Sequence, residues 1–105
     1  MPLKWEFPGG KIEPGEEPVT ALQRELEEEL GIQATIGELV TRIEHRYKHG
    51  GVVELQFFVV RKFENEIQNR IFKDVRWEKL AELPKYDFLE ADRGLVQRLA
   101  EGKLL

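Results

Sequence analysis

Hydrophobic and polar positions follow two periods along the chain, and the period of two predicts strands. Residues 3–7 (LKWEF) alternate apolar and polar side chains, as a half-buried strand does, and residues 52–63 (VVELQFFVVRKF) are rich in β-branched and aromatic types. Residues 35–47 predict a long strand that pairs antiparallel with 52–63 through a turn at residues 49–51 (HGG). Residues 73–77 (KDVRW) predict one more strand.

Apolar residues at spacings of three and four predict two helices. The first is expected from about residue 18 to residue 30, because Pro18 suits a first helical turn and Gly31 suits the carboxyl-terminal cap. Its inward face comprises Val19, Leu22, Leu26 and Leu30. The second is expected over residues 91–101, and residues 78–83 predict a single helical turn. Leu95, Val96 and Leu99 are expected to point inward.

Composition limits the possible classes of protein. The 105 residues suit a single domain over residues 1–105, with enough apolar side chains (41%) for one core. No apolar run approaches the roughly 18 to 20 residues of a membrane span, and the chain has no signal-peptide pattern. A net charge of −4 argues against binding to a nucleic-acid polymer. We therefore expect a cytoplasmic protein that binds neither membranes nor nucleic acid, and the absence of cysteine excludes a thiol nucleophile.

Negative charge is concentrated near the first helix, where residues 9–32 carry seven glutamates. At 100° per residue, Glu25, Glu28 and Glu29 span about 100° of the helix surface beside the apolar face. Like charges at these spacings destabilise a helix, whereas a divalent cation would offset their repulsion, and Mg²⁺ and Mn²⁺ prefer carboxylate oxygens. A solvated acidic face is the structural alternative.

The flanking residues complete a longer pattern, G-x5-E-x7-R-E-U-x-E-E-x-G-U, in which U is aliphatic. Its fixed positions are occupied by Gly10, Glu16, Arg24, Glu25, Leu26, Glu28, Glu29, Gly31 and Ile32. With this pattern the chain resembles the Nudix hydrolase family, and residues 5–16 (WEFPGGKIEPGE) resemble its MutT-like branch, the 8-oxo-dGTP and CTP pyrophosphohydrolases. The implied fold is an α+β Nudix α/β/α sandwich, in which a mixed sheet lies between the two predicted helices.

The resemblance implies Mg²⁺- or Mn²⁺-dependent hydrolysis of a nucleoside triphosphate, or of another nucleoside diphosphate derivative, to NMP and pyrophosphate. Nucleotide-pool sanitation is the implied role. The implied metal site combines the Gly9 carbonyl with the carboxylates of Glu16, Glu25, Glu28 and Glu29. Glu25 and Glu28 are also the candidate catalytic carboxylates, and Arg24 would orient Glu25. Lys11 would contact phosphate, unless it is an ordinary exposed loop lysine.

The stretch at residues 86–94 (YDFLEADRG) resembles the base-recognition segment of this branch. Asp92 would accept hydrogen bonds from a cytosine amino group or from the N1–H and amino group of a guanine. Its structural alternative is the N-cap of the last helix. Phe88 is a second candidate for substrate binding, and its structural alternative is a place in the core.

The chain departs from its relatives at two places. They carry two strands before WEFPGG, and this sequence begins too late to contain them, so we expect an N-terminally truncated domain. We also expect a homodimer, formed through the exposed sheet edge or by strand exchange. Ile71 and Phe72 replace a Glu-His pair of the relatives, which leaves Glu28 and Glu44 as candidate catalytic bases. The alternative function is a catalytically impaired Nudix domain that serves as a binding or assembly module.

Overall fold

Pro18 begins the first helix, α1 (Pro18–Leu30), of the computed structural model, which describes residues 4–105. Leu3 of the first predicted strand and Met1 lie outside the described residues. Gly31 ends the helix with a φ of 70°, a left-handed conformation that glycine adopts at little cost, and its N–H donates to the Glu27 carbonyl at 2.9 Å. Both predicted ends of α1 are confirmed.

The apolar face of α1 differs from the prediction at its first turn. Leu26 and Leu30 are buried and Leu22 is partly buried, but Val19 remains 38% exposed. The inward placement of Val19 was wrong, because the packed cluster begins at Leu22, almost one turn further along the helix. Glu29 is buried with only 8% of its surface exposed, so one carboxylate of α1 lies at the edge of the apolar face.

Two long strands, β1 (Gln33–Arg46) and β2 (Val52–Glu64), form a two-stranded sheet among the described residues. A short connection joins them as an antiparallel hairpin, in which the Tyr47 N–H donates to the Gly51 carbonyl at 3.1 Å. Gly50 and Gly51 have φ values of 82° and 86°, which explains why glycines occupy this turn. The predicted hairpin is confirmed.

The other predicted strands are reduced or absent within the described residues. Trp5 forms only an isolated parallel bridge with Phe88, and the strand predicted at residues 73–77 was wrong. Residues 73–77 pair with neither strand of the described sheet, so they have no ladder of hydrogen bonds. Asn69 holds the backbone in a turn just before this segment. Its amide nitrogen donates to the Phe72 carbonyl at 2.8 Å, and its oxygen accepts from the Phe72 N–H at 2.7 Å.

Two compact units make up the chain. The first, which we call the glutamate unit, comprises Pro8–Glu44 and Glu54–Val75. Its core consists of Leu26, Leu30, Ile32 and Ala34, with further apolar side chains packed against them, namely Leu22, Ile36, Ile67, Phe72 and Val75.

The second unit, which we call the carboxyl-terminal unit, comprises the residues up to Phe7, His45–Val53 and Arg76–Leu105. It contains a 3₁₀ helix (Leu80–Lys85) and a second α-helix, α2 (Glu90–Ala100). Its buried apolar side chains are Leu83, Phe88, Leu95, Val96 and Leu99, so the predicted inward face of α2 is confirmed. None of the helices formed by residues 4–105 has the length and apolar character needed to span a membrane.

Candidate active site

A glycine pair precedes α1 in the sequence and lies against two of its glutamates. The Gly9 N–H donates to Oε1 of Glu29 at 3.0 Å. A Cβ atom placed on Gly10 would lie 2.4–2.6 Å from the carboxylate atoms of Glu25, so that carboxylate occupies the space that a side chain would need. The absence of a side chain at Gly10 therefore lets the loop backbone and the Glu25 carboxylate approach closely.

Arg24 donates hydrogen bonds to three carboxylates, those of Glu16, Glu25 and Glu28. Its Nε and one terminal nitrogen donate to the two oxygens of Glu16 at 2.8 and 2.9 Å, a bidentate pair. The other terminal nitrogen donates to Glu25 at 2.9 Å and to Glu28 at 3.4 Å. The Lys11 carbonyl also accepts from Arg24, at 3.1 Å. The predicted contact between Arg24 and Glu25 is thus present, and Arg24 also links the loop to the helix.

The contact between Arg24 and Glu16 shifts the pKa of both side chains. Hydrogen bonds from Arg24, and one from the Glu13 N–H, hold the pKa of the Glu16 carboxyl at about 2. The same contact with Glu16 raises the pKa of the Arg24 guanidinium above its ordinary value. Glu16 therefore remains ionised throughout the neutral range and acts as a fixed negative group in the loop that precedes α1.

Chemically, the predicted metal ligands suit a hard divalent cation. Carboxylates and a backbone carbonyl are the oxygen donors that Mg²⁺ and Mn²⁺ bind. The side chain of Glu28 is 60% exposed, so it is open to a ligand from solvent. Within residues 4–105, however, no three histidine, aspartate or glutamate side chains converge as a preformed metal site. The metal-binding role of these residues stays a prediction, and so does the phosphate contact of Lys11, whose residue is exposed.

Asp92 lies in the carboxyl-terminal unit, within the first turn of α2, and is 7% exposed. The N-cap position belongs to Leu89, and the Asp92 N–H donates to the Leu89 carbonyl at 2.9 Å, so the N-cap alternative was wrong. Burial raises the pKa of the Asp92 carboxyl to about 6, and the charge of Glu6 adds to this shift. A backbone hydrogen bond from Phe7 and the charge of His45 act in the opposite direction.

Phe88 precedes Asp92 by four residues in the sequence and is buried. Its ring stacks on that of Phe7, with centroids 5.3 Å apart and an angle of 27° between the planes. Phe88 also lines a surface depression of about 410 Å³, together with Tyr86, Asp87 and Arg93 of the same segment. The side chain thus belongs to the core and borders a depression, and its contact with a substrate stays a prediction.

Two polar residues beside Asp92 were not among the sequence candidates. Glu6 lies within electrostatic reach of Asp92, and His45 has a buried ring nitrogen, Nε2, with no hydrogen-bond partner among residues 4–105. Both belong to the carboxyl-terminal unit although they are far from Asp92 in the sequence. No local pattern indicates such a grouping, because the fold alone brings these three segments together.

The residues that replace the Glu-His pair have no acid–base chemistry. Ile71 is 65% exposed, and Phe72 packs against the core of the glutamate unit. This region supplies no carboxylate at the position where relatives of this branch are expected to have one.

Comparison with known proteins settles the family. A family model described as the NUDIX domain matches residues 1–99. The chain belongs to the Nudix family. It is 39% identical over 93 residues to the CTP pyrophosphohydrolase of Escherichia coli K12, and this match covers 89% of this chain and 68% of that relative. It is 37% identical over 94 residues to an 8-oxo-dGTP diphosphatase of Haemophilus influenzae, covering 90% and 68%.

Solved structures agree with this assignment to the Nudix family. The solution structure of the E. coli ORF135 protein has a TM-score of 0.82 at 39% identity, and the match covers 89% of this chain and 66% of that one. A MutT structure from a study of Aliivibrio salmonicida and Vibrio cholerae has a TM-score of 0.75 at 34% identity, covering 94% and 76%. The expected Nudix fold, MutT-like resemblance and hydrolase family are therefore confirmed. The Nudix chain spans about two thirds of the length of these relatives.

Proposed function

We propose that this Nudix domain, as a single domain over residues 1–105, hydrolyses a nucleoside triphosphate to NMP and pyrophosphate, or cleaves the same phosphoanhydride bond in another nucleoside diphosphate derivative. Nucleotide-pool sanitation in the cytoplasm is the proposed role. Support comes from relatives named CTP pyrophosphohydrolase and 8-oxo-dGTP diphosphatase, both of which match about nine tenths of this chain. The observation that carries the proposal is the close approach of the Gly9-Gly10 backbone to the carboxylates of Glu25 and Glu29.

Five residues would hold the divalent cation, by carboxylate oxygens or a backbone carbonyl: Gly9, Glu16, Glu25, Glu28 and Glu29. When bound, Mg²⁺ or Mn²⁺ neutralises polyphosphate charge and lowers the pKa of a coordinated water.

The other contacts orient these donors. Arg24 fixes the Glu25 carboxylate and ties it to Glu16, while the Gly9 N–H fixes one oxygen of Glu29. Lys11 follows the glycine pair in the loop, where its ammonium group would act as a point charge on a phosphate.

The reaction consumes one water molecule. The water oxygen forms a bond to phosphorus, the phosphoanhydride P–O bond breaks, and NMP and pyrophosphate leave. A carboxylate takes the proton of the attacking water, and Glu28 and Glu44 remain the two candidates for this base. Glu44→Gln separates them, because Glu28 is also a proposed metal ligand and its replacement lowers turnover in either case. Glu44→Gln should lower kcat and remove the acidic limb of the pH–rate profile only if Glu44 is the base.

Asp92 is the proposed reader of the nucleobase. Its burial raises its pKa to about 6, an unfavourable placement for a carboxylate that a ligand role would explain. Above that pH it only accepts hydrogen bonds, so it suits a cytosine amino group or the N1–H and amino group of a guanine. Phe88 would contribute apolar contact at the same place.

The test is a panel of canonical and oxidised nucleoside triphosphates, incubated with Mg²⁺ or Mn²⁺ and analysed for NMP and pyrophosphate. We expect hydrolysis of at least one cytidine or guanine nucleotide. Glu25→Gln and Glu28→Gln should each lower turnover at least 100-fold, because each loses a charged metal ligand. Glu27→Gln is the matched control, since Glu27 is an exposed glutamate of the same helix outside the proposed site.

One outcome would instead favour the alternative function, a binding or assembly module. The exposed Ile71 supports it, since an apolar residue stands where relatives are expected to carry a metal-ligating glutamate. A panel without any turnover, from a chain whose circular dichroism and unfolding are those of a folded domain, would overturn the enzymatic proposal and support the module. Unchanged turnover in Glu28→Gln would refute the role of that residue alone.

A homodimer is proposed as the assembly. The described sheet has only two strands, and a two-stranded hairpin gains stability when a further strand covers its edge. Val52 and Val60 of β2 are exposed apolar side chains that a second copy would cover. Light scattering at micromolar concentration should give twice the mass of one chain, and a monomer at every concentration would refute this proposal.

A further inference from the structure

The carboxyl-terminal end of α1 carries an unfavourable distribution of charge. Its last residues include Glu27, Glu28 and Glu29, and no basic residue lies in its last turn. Backbone carbonyls at this end have no partner within a helix and give it a partial negative charge, which acidic side chains increase. A donor or a positive charge from another part of the chain would offset this charge.

The loop that follows β2 contributes this neutralisation within the glutamate unit. The Gln68 N–H donates to the Leu30 carbonyl at 2.8 Å, and the Arg70 N–H donates to the Glu29 carbonyl at 3.2 Å. The Arg70 guanidinium donates to the Glu27 carbonyl at 3.1 Å, across 43 residues of sequence. Three carbonyls of the last turn thus accept hydrogen bonds from this loop.

The guanidinium of Arg70 is itself held in position. Its Nε donates to the side-chain oxygen of Gln68 at 3.2 Å. It lies directly over Gly31, where an added Cβ atom would be 2.8 Å from a terminal nitrogen of Arg70. Glycine at position 31 therefore serves two needs, a left-handed φ of 70° and space for the guanidinium.

We propose that Arg70 is a positioning residue that holds the last turn of α1, and with it Glu28 and Glu29, in the arrangement that binds the divalent cation. This inference rests on the proposed function. The link is local, because the Glu29 side chain accepts a hydrogen bond from the Gly9 N–H, and the Arg70 guanidinium donates to the carbonyl of Glu27 in the same helical turn. Replacing the Arg70 side chain keeps the backbone hydrogen bond to Glu29 but removes the guanidinium bond to the Glu27 carbonyl and one positive charge at the helix end. The last turn is then held less firmly, and with it the Glu29 carboxylate beside the glycine pair.

The experiment compares the wild-type chain with Arg70→Met and Arg70→Lys. Amide hydrogen exchange at Gly31 reports the last turn without reference to activity, and electron paramagnetic resonance reports the binding of Mn²⁺ alone. For Arg70→Met we expect about fivefold faster exchange at Gly31, the effect of one exposed charge at a helix end. We also expect about fivefold weaker Mn²⁺ binding, because the lost positioning of the carboxylates outweighs the electrostatic gain from removing a positive charge. Arg70→Lys should give intermediate values, since it keeps the charge and loses the planar fork.

Arg42→Met is the matched control, because Arg42 is also an exposed arginine, and it contacts Glu54 of the neighbouring strand rather than α1. It should leave both readings unchanged. Equal Mn²⁺ affinity and equal exchange in wild type and Arg70→Met would overturn the role of Arg70 and leave the proposed function standing. A wild-type chain that binds no Mn²⁺ would overturn the proposed function together with this inference.

Discussion

Replacing Asp92 by asparagine should stabilise the folded chain, and the gain should grow as the pH rises. Asp92 is an ionisable side chain with 7% of its surface exposed, near the carboxylate of Glu6. Asparagine has nearly the same shape and is neutral at every pH. The substitution therefore removes the cost of a buried negative charge and keeps the volume of the side chain.

The magnitude follows from the pKa of Asp92. Folding raises this pKa from 3.8 to about 6, and a difference of about 2 units corresponds to about 3 kcal/mol. Because the pKa of Asp92 is higher in the folded chain, its contribution of about 3 kcal/mol to the stability of wild type is fully present below pH 3.8. This contribution is lost as the pH rises through 6. At low pH, Asp92→Asn should have the same free energy of unfolding as wild type, whose Asp92 is then protonated. At pH 8 its free energy of unfolding should exceed that of wild type by about 3 kcal/mol.

Urea unfolding followed by tryptophan fluorescence, at intervals between pH 4 and pH 8, measures this difference. Asp87→Asn is the matched control in the same segment. Ion pairs with Lys4 and Arg93 lower the pKa of Asp87, so this variant should lose stability at neutral pH and approach wild type as the pH falls. A stability difference for Asp92→Asn that is constant from pH 4 to pH 8 would refute the reasoning.

Three further predictions concern the glycine loop, the last helix and the ion pair between Glu16 and Arg24. Gly10→Ala should lower both turnover and Mn²⁺ affinity at least tenfold, measured by pyrophosphate release and paramagnetic resonance, because the methyl group meets the Glu25 carboxylate. Gly94→Ala should raise the free energy of unfolding by about 0.5–1 kcal/mol in urea, since Gly94 is inside α2 with open space around it. Glu16→Gln should lose stability above pH 4.5, a loss that fades as the pH falls towards 2, because Arg24 lowers the pKa of Glu16. Wild-type behaviour of Gly10→Ala or Glu16→Gln would contradict the corresponding contact, and wild-type stability of Gly94→Ala would contradict the placement of Gly94 inside an exposed part of the helix.

The parts of the fold predicted from the sequence depend on local signals. Pro18 and Gly31 limit α1 because their backbone preferences act at the residue itself. The β1–β2 hairpin was predictable for the same reason, since Gly50 and Gly51 supply positive φ between two strand-forming segments. The Nudix motif was recognisable because its chemistry needs fixed residue types at fixed spacings along one loop and one helix.

The parts that were missed depend on contacts between distant segments. Residues 73–77 have a strand-like composition, but the turn held by Asn69 precedes them and no ladder of hydrogen bonds forms there. The helix after Leu89 begins at Glu90, which moves Asp92 from the expected cap into the buried first turn. Arg70 was not a candidate, because its contact with α1 arises only when the chain is folded.

The central claim is that the carboxylates of α1 hold a divalent cation for a polyphosphate substrate. Paramagnetic resonance of Mn²⁺, titrated into the wild-type chain, Glu25→Gln, Glu28→Gln and the control Glu27→Gln, tests it most directly. We expect saturable binding to wild type and to Glu27→Gln, and binding at least tenfold weaker in the other two variants. No binding to the wild-type chain, or equal affinity in all four proteins, would contradict it.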